Sequence, residues 1–209
     1  MNIDDSIRNY LDEISSSSPT PGGGNVSAFS GAVACSLGIM VCNLTIGKKK
    51  YVDVEEEMKD MKFELAVAKE EFLNLAERDN QAFEKVMESF KLPKDSDEQK
   101  KERSSKIEAA TLEAAEVPAE VLKNCSKLIS LFQSLAEKGN QNSVSDAGVA
   151  ASLIATAAEG AFLNVLINCS SLSNQTVARE ILKKNEIMLE EVKELTKTII
   201  AEIKRKLSK

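Results

Sequence analysis

Apolar and polar positions alternate with a helical period along most of the chain. Ile3, Ile7, Tyr10, Leu11 and Ile14 mark a first amphipathic helix. A polar loop, Ser15 to Gly24, separates it from a segment of a different kind. Val26–Ile46 has no charged residue and is built from Ala, Ser, Gly, Cys and Val with a single Phe. Small side chains let neighbouring backbones approach closely, so this segment is expected to be a buried central helix that the amphipathic ones surround. It is long enough to span a bilayer. However, Asn25, Ser27, Ser30, Ser36, Asn43 and Thr45 interrupt it with polar groups, and no membrane is expected as a partner. It ends at Gly47, and Lys48, Lys49 and Lys50 follow. These cations suit a helix C-terminus; they would equally attract an anionic ligand.

Val52 to Leu92 reads as one long helix, possible breaks included. Its apolar stripe runs Met58, Met61, Leu65, Ala68, Phe72, Leu75, Ala82, Val86 and Phe90 in steps of three and four. Between Leu75 and Ala82 the next step lands on Asp79. A carboxylate at a core-facing position costs several kcal/mol unless it is paired or protonated. Burial would raise its pKa toward neutrality, which suits a general acid or base. Pairing with a lysine, or a break in the helix, would explain it equally.

Pro93 stops that helix. Ser96 and Gln99 have the spacing of a capping box for a helix running to about Glu116. Pro118 fits the first turn of another, with Val121, Leu122, Cys125, Leu128, Ile129, Phe132 and Leu135 on its inner side and Gly139 as its C-cap. In the loop that follows, Asn140 is prominent, and Ser143 and Asp146 again have capping-box spacing. Val144–Cys169 is a second helix of small residues, expected to pack against the first. Asn164 and Asn168 share one of its faces. Two buried amides need partners, either across a helix contact or in a ligand. From Asn174 onward, Val177, Ile181, Met188, Val192, Leu195, Ile199 and Ile203 define a last amphipathic helix. The expected fold is all-α: a single helical bundle, residues 1–209 in one domain, around two buried small-residue helices.

Composition narrows the chemistry. The chain has 209 residues, 43% hydrophobic and 29% charged, enough for one domain with a sizeable core. Its net charge of −6 and lack of a basic arm argue against nucleic acid as a partner. There is no histidine, which excludes a Cys/His zinc site and a Ser-His-Asp triad. Cys35, Cys42, Cys125 and Cys169 are scattered without metal-ligand spacing, so no metal is expected. The acidic, amphipathic N-terminus is unlike a signal peptide, and a cytoplasmic location is the expectation. Gly22, Gly23 and Gly24 precede the first central helix, where free N–H groups favour an anion or carbonyl oxygen. A turn capped by Asn25 is the alternative.

Several blocks in order carry a resemblance: PTPGGGNVSA from Pro19, LTIGKKKY from Leu44, D-x-x-A-F from Asp79 to Phe83, and LPK from Leu92. They continue with Val117-Pro118, GNQNSVSDAGVAA from Gly139, and NVLIN from Asn164. The set resembles the cyclodeaminase/cyclohydrolase family, the domain that forms the C-terminal half of formiminotransferase-cyclodeaminase and also occurs alone. The resemblance spans nearly the whole chain. Asn25 departs from the family's usual Ser, and Ser173-Asn174 from a commoner acidic residue.

This resemblance implies chemistry on the N5–N10 one-carbon bridge of tetrahydrofolate. One reaction is formiminotetrahydrofolate cyclodeamination, giving 5,10-methenyltetrahydrofolate and ammonia. The alternative is methenyltetrahydrofolate cyclohydrolysis, giving 10-formyltetrahydrofolate. No cofactor is implied beyond the folate substrate itself. The family's catalytic carboxylate lies in the block matching Asp79, the residue that the interrupted stripe singles out independently. Gly22, Gly23, Gly24, Asn140, Asp146, Asn164 and Asn168 become candidates for gripping the pterin and its tail. A homodimer with the site close to a subunit contact is also implied. A non-catalytic helical interaction protein is the competing class. It gives no reason to keep Asp79, Asp146 and two amides inside apolar helices.

Overall fold

The structure, a computed structural model, describes residues 6–208. Among them are six α-helices: α1 (Ile7–Ile14), α2 (Gly23–Thr45), α3 (Glu55–Phe90), α4 (Asp97–Lys138), α5 (Val144–Ser170) and α6 (Gln175–Leu207). Ile3, the first residue of the expected stripe, lies outside the described residues.

Helices α2, α3, α4 and α5 form a four-helix core in which each packs on the next and α5 closes back on α2, while α6 lies along α4 and α5. The run direction alternates, so α2 and α5 are antiparallel. Ser27 meets Gly160 near one end, and Asn140 reaches Leu44 and Thr45 at the other. The small residues are what permit this packing. Phe72 lies flat against Gly31, where even a methyl group would collide with its ring, and Leu65 and Phe132 close on Gly38 in the same way. Burial of Phe72, Phe132, Met58, Leu65, Leu75 and Leu122 fills the centre. The stripe expected in α3 is the buried one from Met58 to Ala82, but Phe90, at its end, is exposed.

Helices α2 and α5 are each long and apolar enough to cross a membrane by length and composition. In the bundle their inner faces are buried. Their outer faces lie side by side and remain open, with Val33, Met40 and Leu44 on α2 and Val149, Leu163 and Ile167 on α5 exposed.

Three local expectations are corrected. Pro118 does not begin a helix; it lies inside the 42-residue helix α4. A proline there removes the N–H that would bond the carbonyl of Ala114, one turn earlier. The Asn168 side chain on α5 supplies the missing donor, its Nδ2 lying 2.6 Å from that carbonyl. Asn25 does not cap α2, because Gly22 is the N-cap and makes no side-chain bond. Ser143 is the N-cap of α5 but forms no capping box with Asp146; its hydroxyl donates to the Asn140 carbonyl at 3.0 Å. By contrast, Ser96 and Gln99 form the complete capping box at the start of α4, and Gly139 ends that helix.

Candidate functional site

Asp79 falls where the α3 stripe turns toward the first turn of α2. The approach is very close: a Cβ on Gly24 would overlap the Asp79 carboxylate. Glycine is therefore required there for space, not for an unusual backbone angle. The main-chain N–H of Asn25, one of the free donors of the α2 N-terminus, faces the carboxylate and pulls its pKa down. No side chain caps that terminus, and the N–H groups of Gly23 and Gly24 stand beside it.

A cavity of about 300 Å³ opens in front of the carboxylate. Pro19, Thr20 and Gly22 to Gly24 form one wall, Phe83, Val86 and Ala114 another, and Asn164, Ile167, Asn168 and Ser171 the third. Asp79 is the only charged side chain among these lining residues. Burial pushes its carboxyl up to about 6, against the opposing pull of the Asn25 N–H. A carboxyl with that value exchanges its proton readily near neutral pH. Among the described residues it makes no ion pair, unlike its neighbour Arg78, which holds Glu120 across to α4 at 2.6 Å.

The two asparagines offer matching chemistry. Asn164 Nδ2 donates to Gly160 O on its own helix at 2.8 Å, and Asn168 Nδ2 to Ala114 O at 2.6 Å. With both amide nitrogens engaged, each side chain has its carbonyl oxygen left to accept from a ligand. The cavity thus combines two amide acceptors, a helix N-terminus with free donors, and one titratable carboxyl. It suits a flat, N–H-bearing heterocycle undergoing proton transfer.

Behind this wall lies an anchor that the sequence pattern does not reveal. The Asn25 side chain is buried, and both its ends are used. The Tyr10 hydroxyl donates to Oδ1 at 2.6 Å, and Nδ2 donates to Ala76 O, one turn before Asp79, at 2.6 Å. The amide in an uncharged helix was a visible signal; its partners were not.

Gly22, Gly23, Gly24, Asp79, Asn164 and Asn168 are thus brought together. Asn140 and Asp146 are not: they line a separate cavity of about 520 Å³ with Leu44, Lys48, Lys50 and Tyr51. That cavity lies at the other end of α2, whose 23 residues span roughly 34 Å. Asn140 is committed there to the fold: Nδ2 donates to Leu44 O at 2.8 Å and Oδ1 accepts from Asn142 N at 3.0 Å. A larger groove of about 560 Å³ between α3 and α4 is lined by Glu64, Glu71, Lys123 and Lys127, all exposed. Among the described residues no cluster of three or more His, Cys, Asp or Glu side chains could hold a metal ion.

Fold and cavity together define an antiparallel helical bundle with a lone, proton-exchanging carboxyl in an otherwise uncharged pocket. The chain belongs to the formiminotransferase-cyclodeaminase family, whose profile matches residues 6–187, and so to the enzymes of folate one-carbon metabolism. It is 40% identical over 204 residues to a methenyltetrahydrofolate cyclohydrolase of Methylorubrum extorquens, covering 98% of both chains. It is 29% identical over 191 residues to the mouse formimidoyltransferase-cyclodeaminase, of which it covers only 35%. The crystal structure of a formiminotetrahydrofolate cyclodeaminase from Thermotoga maritima superposes with a TM-score of 0.83, at 34% identity and 96% coverage of this chain.

Proposed function

We propose that the chain acts on the N5–N10 one-carbon bridge of a tetrahydrofolate, with Asp79 as the proton-transfer group. The observation that carries this reading is the lone raised carboxyl facing an uncharged cavity. In the hydrolytic reaction, water adds to the cationic methenyl carbon and gives its proton to the Asp79 carboxylate. The tetrahedral carbon then collapses: its bond to N5 breaks, Asp79 returns the proton to N5, and the remaining hydroxyl proton is released to solvent as the formyl C=O forms, leaving 10-formyltetrahydrofolate. The amide oxygens of Asn164 and Asn168 accept from pterin N–H groups, and the Gly23–Gly24 backbone faces the reacting edge.

The full-length likeness to a cyclohydrolase, at 40% identity, supports the hydrolytic reaction. The cyclodeaminase reading is supported by the Thermotoga likeness and uses the same carboxyl. N10 attacks the carbon of the protonated formimino group, Asp79 takes the N10 proton, and it then gives that proton to the NH₂ group, which departs as ammonia and leaves the methenyl cation. Incubating the purified chain with each substrate in turn tests both: methenyltetrahydrofolate absorbance falls in the hydrolytic reaction and rises in the deaminating one. No change with either substrate would rule out the reading.

The proposal includes a homodimer formed through the open α2/α5 face. Helix α2 carries no charged residue, and α5 carries only Asp146 and Glu159. A second copy, placing the same uncharged face against this one, is the occupant such a surface fits. Light scattering should give the dimer mass, and Leu163→Lys should give the monomer. A wild-type monomer at micromolar concentration would remove this part.

A further inference from the structure

Helix α1 is nearly detached from the core. Tyr10 is its only buried residue, while Ile7 and Leu11, which share its apolar stripe, are 71% and 57% exposed. The Tyr10 ring rests on Phe29 with centroids 4.9 Å apart, and its hydroxyl ends on Asn25 Oδ1. That contact is the inner end of a chain of bonds. Asn25 Nδ2 holds α3 through the Ala76 carbonyl at 2.6 Å, and the Asn25 N–H faces the Asp79 carboxylate, which packs against the adjacent Gly24. One residue therefore ties α1, α2 and α3 together, and the carboxylate depends on where that residue's backbone stands.

We propose that Tyr10 is a positioning residue for Asp79. Acting through Asn25, it fixes the first turn of α2 so that its free N–H groups stay facing the carboxylate, and α1 serves as the clamp that delivers the hydroxyl. With the phenol proton on Oδ1, the amide can point only one way, with its NH₂ on Ala76. Without it, a buried acceptor loses its partner, the amide is free to turn, and the α2 N-terminus loosens from α3. The donor to the carboxylate is then weakened, and its ionised form is favoured less.

Few other groups can intervene. From α2 only Gly23, Gly24 and Asn25 face the carboxylate, from α5 the amides of Asn164 and Asn168, from α4 Ala114, and from the loop Pro19, Thr20 and Gly22. Arg78, next to it on α3, is paired with Glu120. Burial and the nearby Asp79 push the Tyr10 phenol up to about 12, so it stays neutral.

The role of this clamp in turnover rests on Asp79 being the proton-transfer group, but its existence is testable in the free protein. The probe is the ¹³C-carboxyl NMR titration of Asp79, assigned by its disappearance in Asp79→Asn. Tyr10→Phe keeps the ring on Phe29 and removes only the hydroxyl. The Asp79 midpoint is expected to rise by about half a pH unit to one unit. Asn25→Ser should raise it similarly, and the double variant no further than either single one, because the two residues act in one chain. A Tyr10→Phe titration curve that overlays the wild type, or that moves downward, overturns the proposal even if the variant melts at a lower temperature. Because this readout needs no substrate, failure of the folate reading would show separately, in the activity of Asp79→Asn.

Discussion

The two ends of α2 look alike in sequence and differ in what their polar groups are doing. Each end has glycine, asparagine from α5 or the loop before it, and a nearby carboxylate. At the C-terminal end the groups satisfy one another. Asn140 joins Leu44 and Asn142, its N–H reaches Thr45 Oγ1 at 2.9 Å, and the Tyr51 hydroxyl accepts from Gln141 N at 3.0 Å. At the N-terminal end the amides of Asn164 and Asn168 are half-used, no side chain caps the helix, and Asp79 is half-buried without a countercharge among the described residues. A polar group that folding has fully satisfied has little left to give a ligand. One held in place with capacity remaining is available for recognition and chemistry.

The glycines test this contrast most severely. Gly24→Ala places a methyl group on the Asp79 carboxylate. Turnover should fall at least about a hundredfold as the carboxyl is displaced, with a stability loss of about 1–3 kcal/mol from overpacking. Gly47 at the opposite end has a φ of 75° and open space around it. Gly47→Ala should cost about 1–2 kcal/mol from the left-handed conformation alone and leave turnover unchanged. Equal kinetic effects at the two ends would erase the distinction.

The next effect is on stability. Asn168→Ala strands the Ala114 carbonyl and should cost about 1–3 kcal/mol. Pro118→Ala restores an N–H at that turn of α4, so the same Asn168 change should cost clearly less in that background. Additive costs in chemical denaturation would show that the asparagine does not serve the proline. Smallest is Asn140→Ala, which should lower stability by about 1 kcal/mol while kcat stays at the wild-type value. Asn164→Ala should do the reverse, raising KM with little change in melting. A drop in kcat for Asn140→Ala would place the second cavity in the reaction.

The same contrast marks what the sequence makes legible. Helix period and the absence of charge are local properties, so α2, α5 and the core stripe of α3 could be read from them. Asp79 stood out because a carboxylate broke that stripe. Pro118 misled because its lost hydrogen bond is replaced by Asn168, 50 residues further along the chain and on another helix. Asn140 and Asp146 joined the candidate set through the family resemblance of the GNQNSVSDAGVAA block, which says nothing of which end of α2 that block meets. Which end lies beside Asp79 follows from the antiparallel register of α2 and α5, a tertiary property. Tyr10 was legible only as a member of an amphipathic stripe, since its hydroxyl's partner, Asn25, lies on the next helix.

The most direct test of Asp79 as the reacting carboxyl combines turnover and melting of Asp79→Asn. Its folded pKa of about 6 lies above the roughly 3.9 of a free aspartate, so ionising it works against the fold. The stability carried by the protonated form is fully present below about pH 4 and is lost as pH rises through about 6, amounting to about 3 kcal/mol by pH 7. Asparagine cannot ionise and keeps nearly the same shape, with an oxygen facing the Asn25 N–H. The variant should therefore melt near the wild type at pH 4 and higher than the wild type at pH 7, while turnover falls roughly a hundred- to ten-thousandfold. A folded Asp79→Asn variant with near-normal turnover, or one less stable than the wild type at pH 7, would contradict the account.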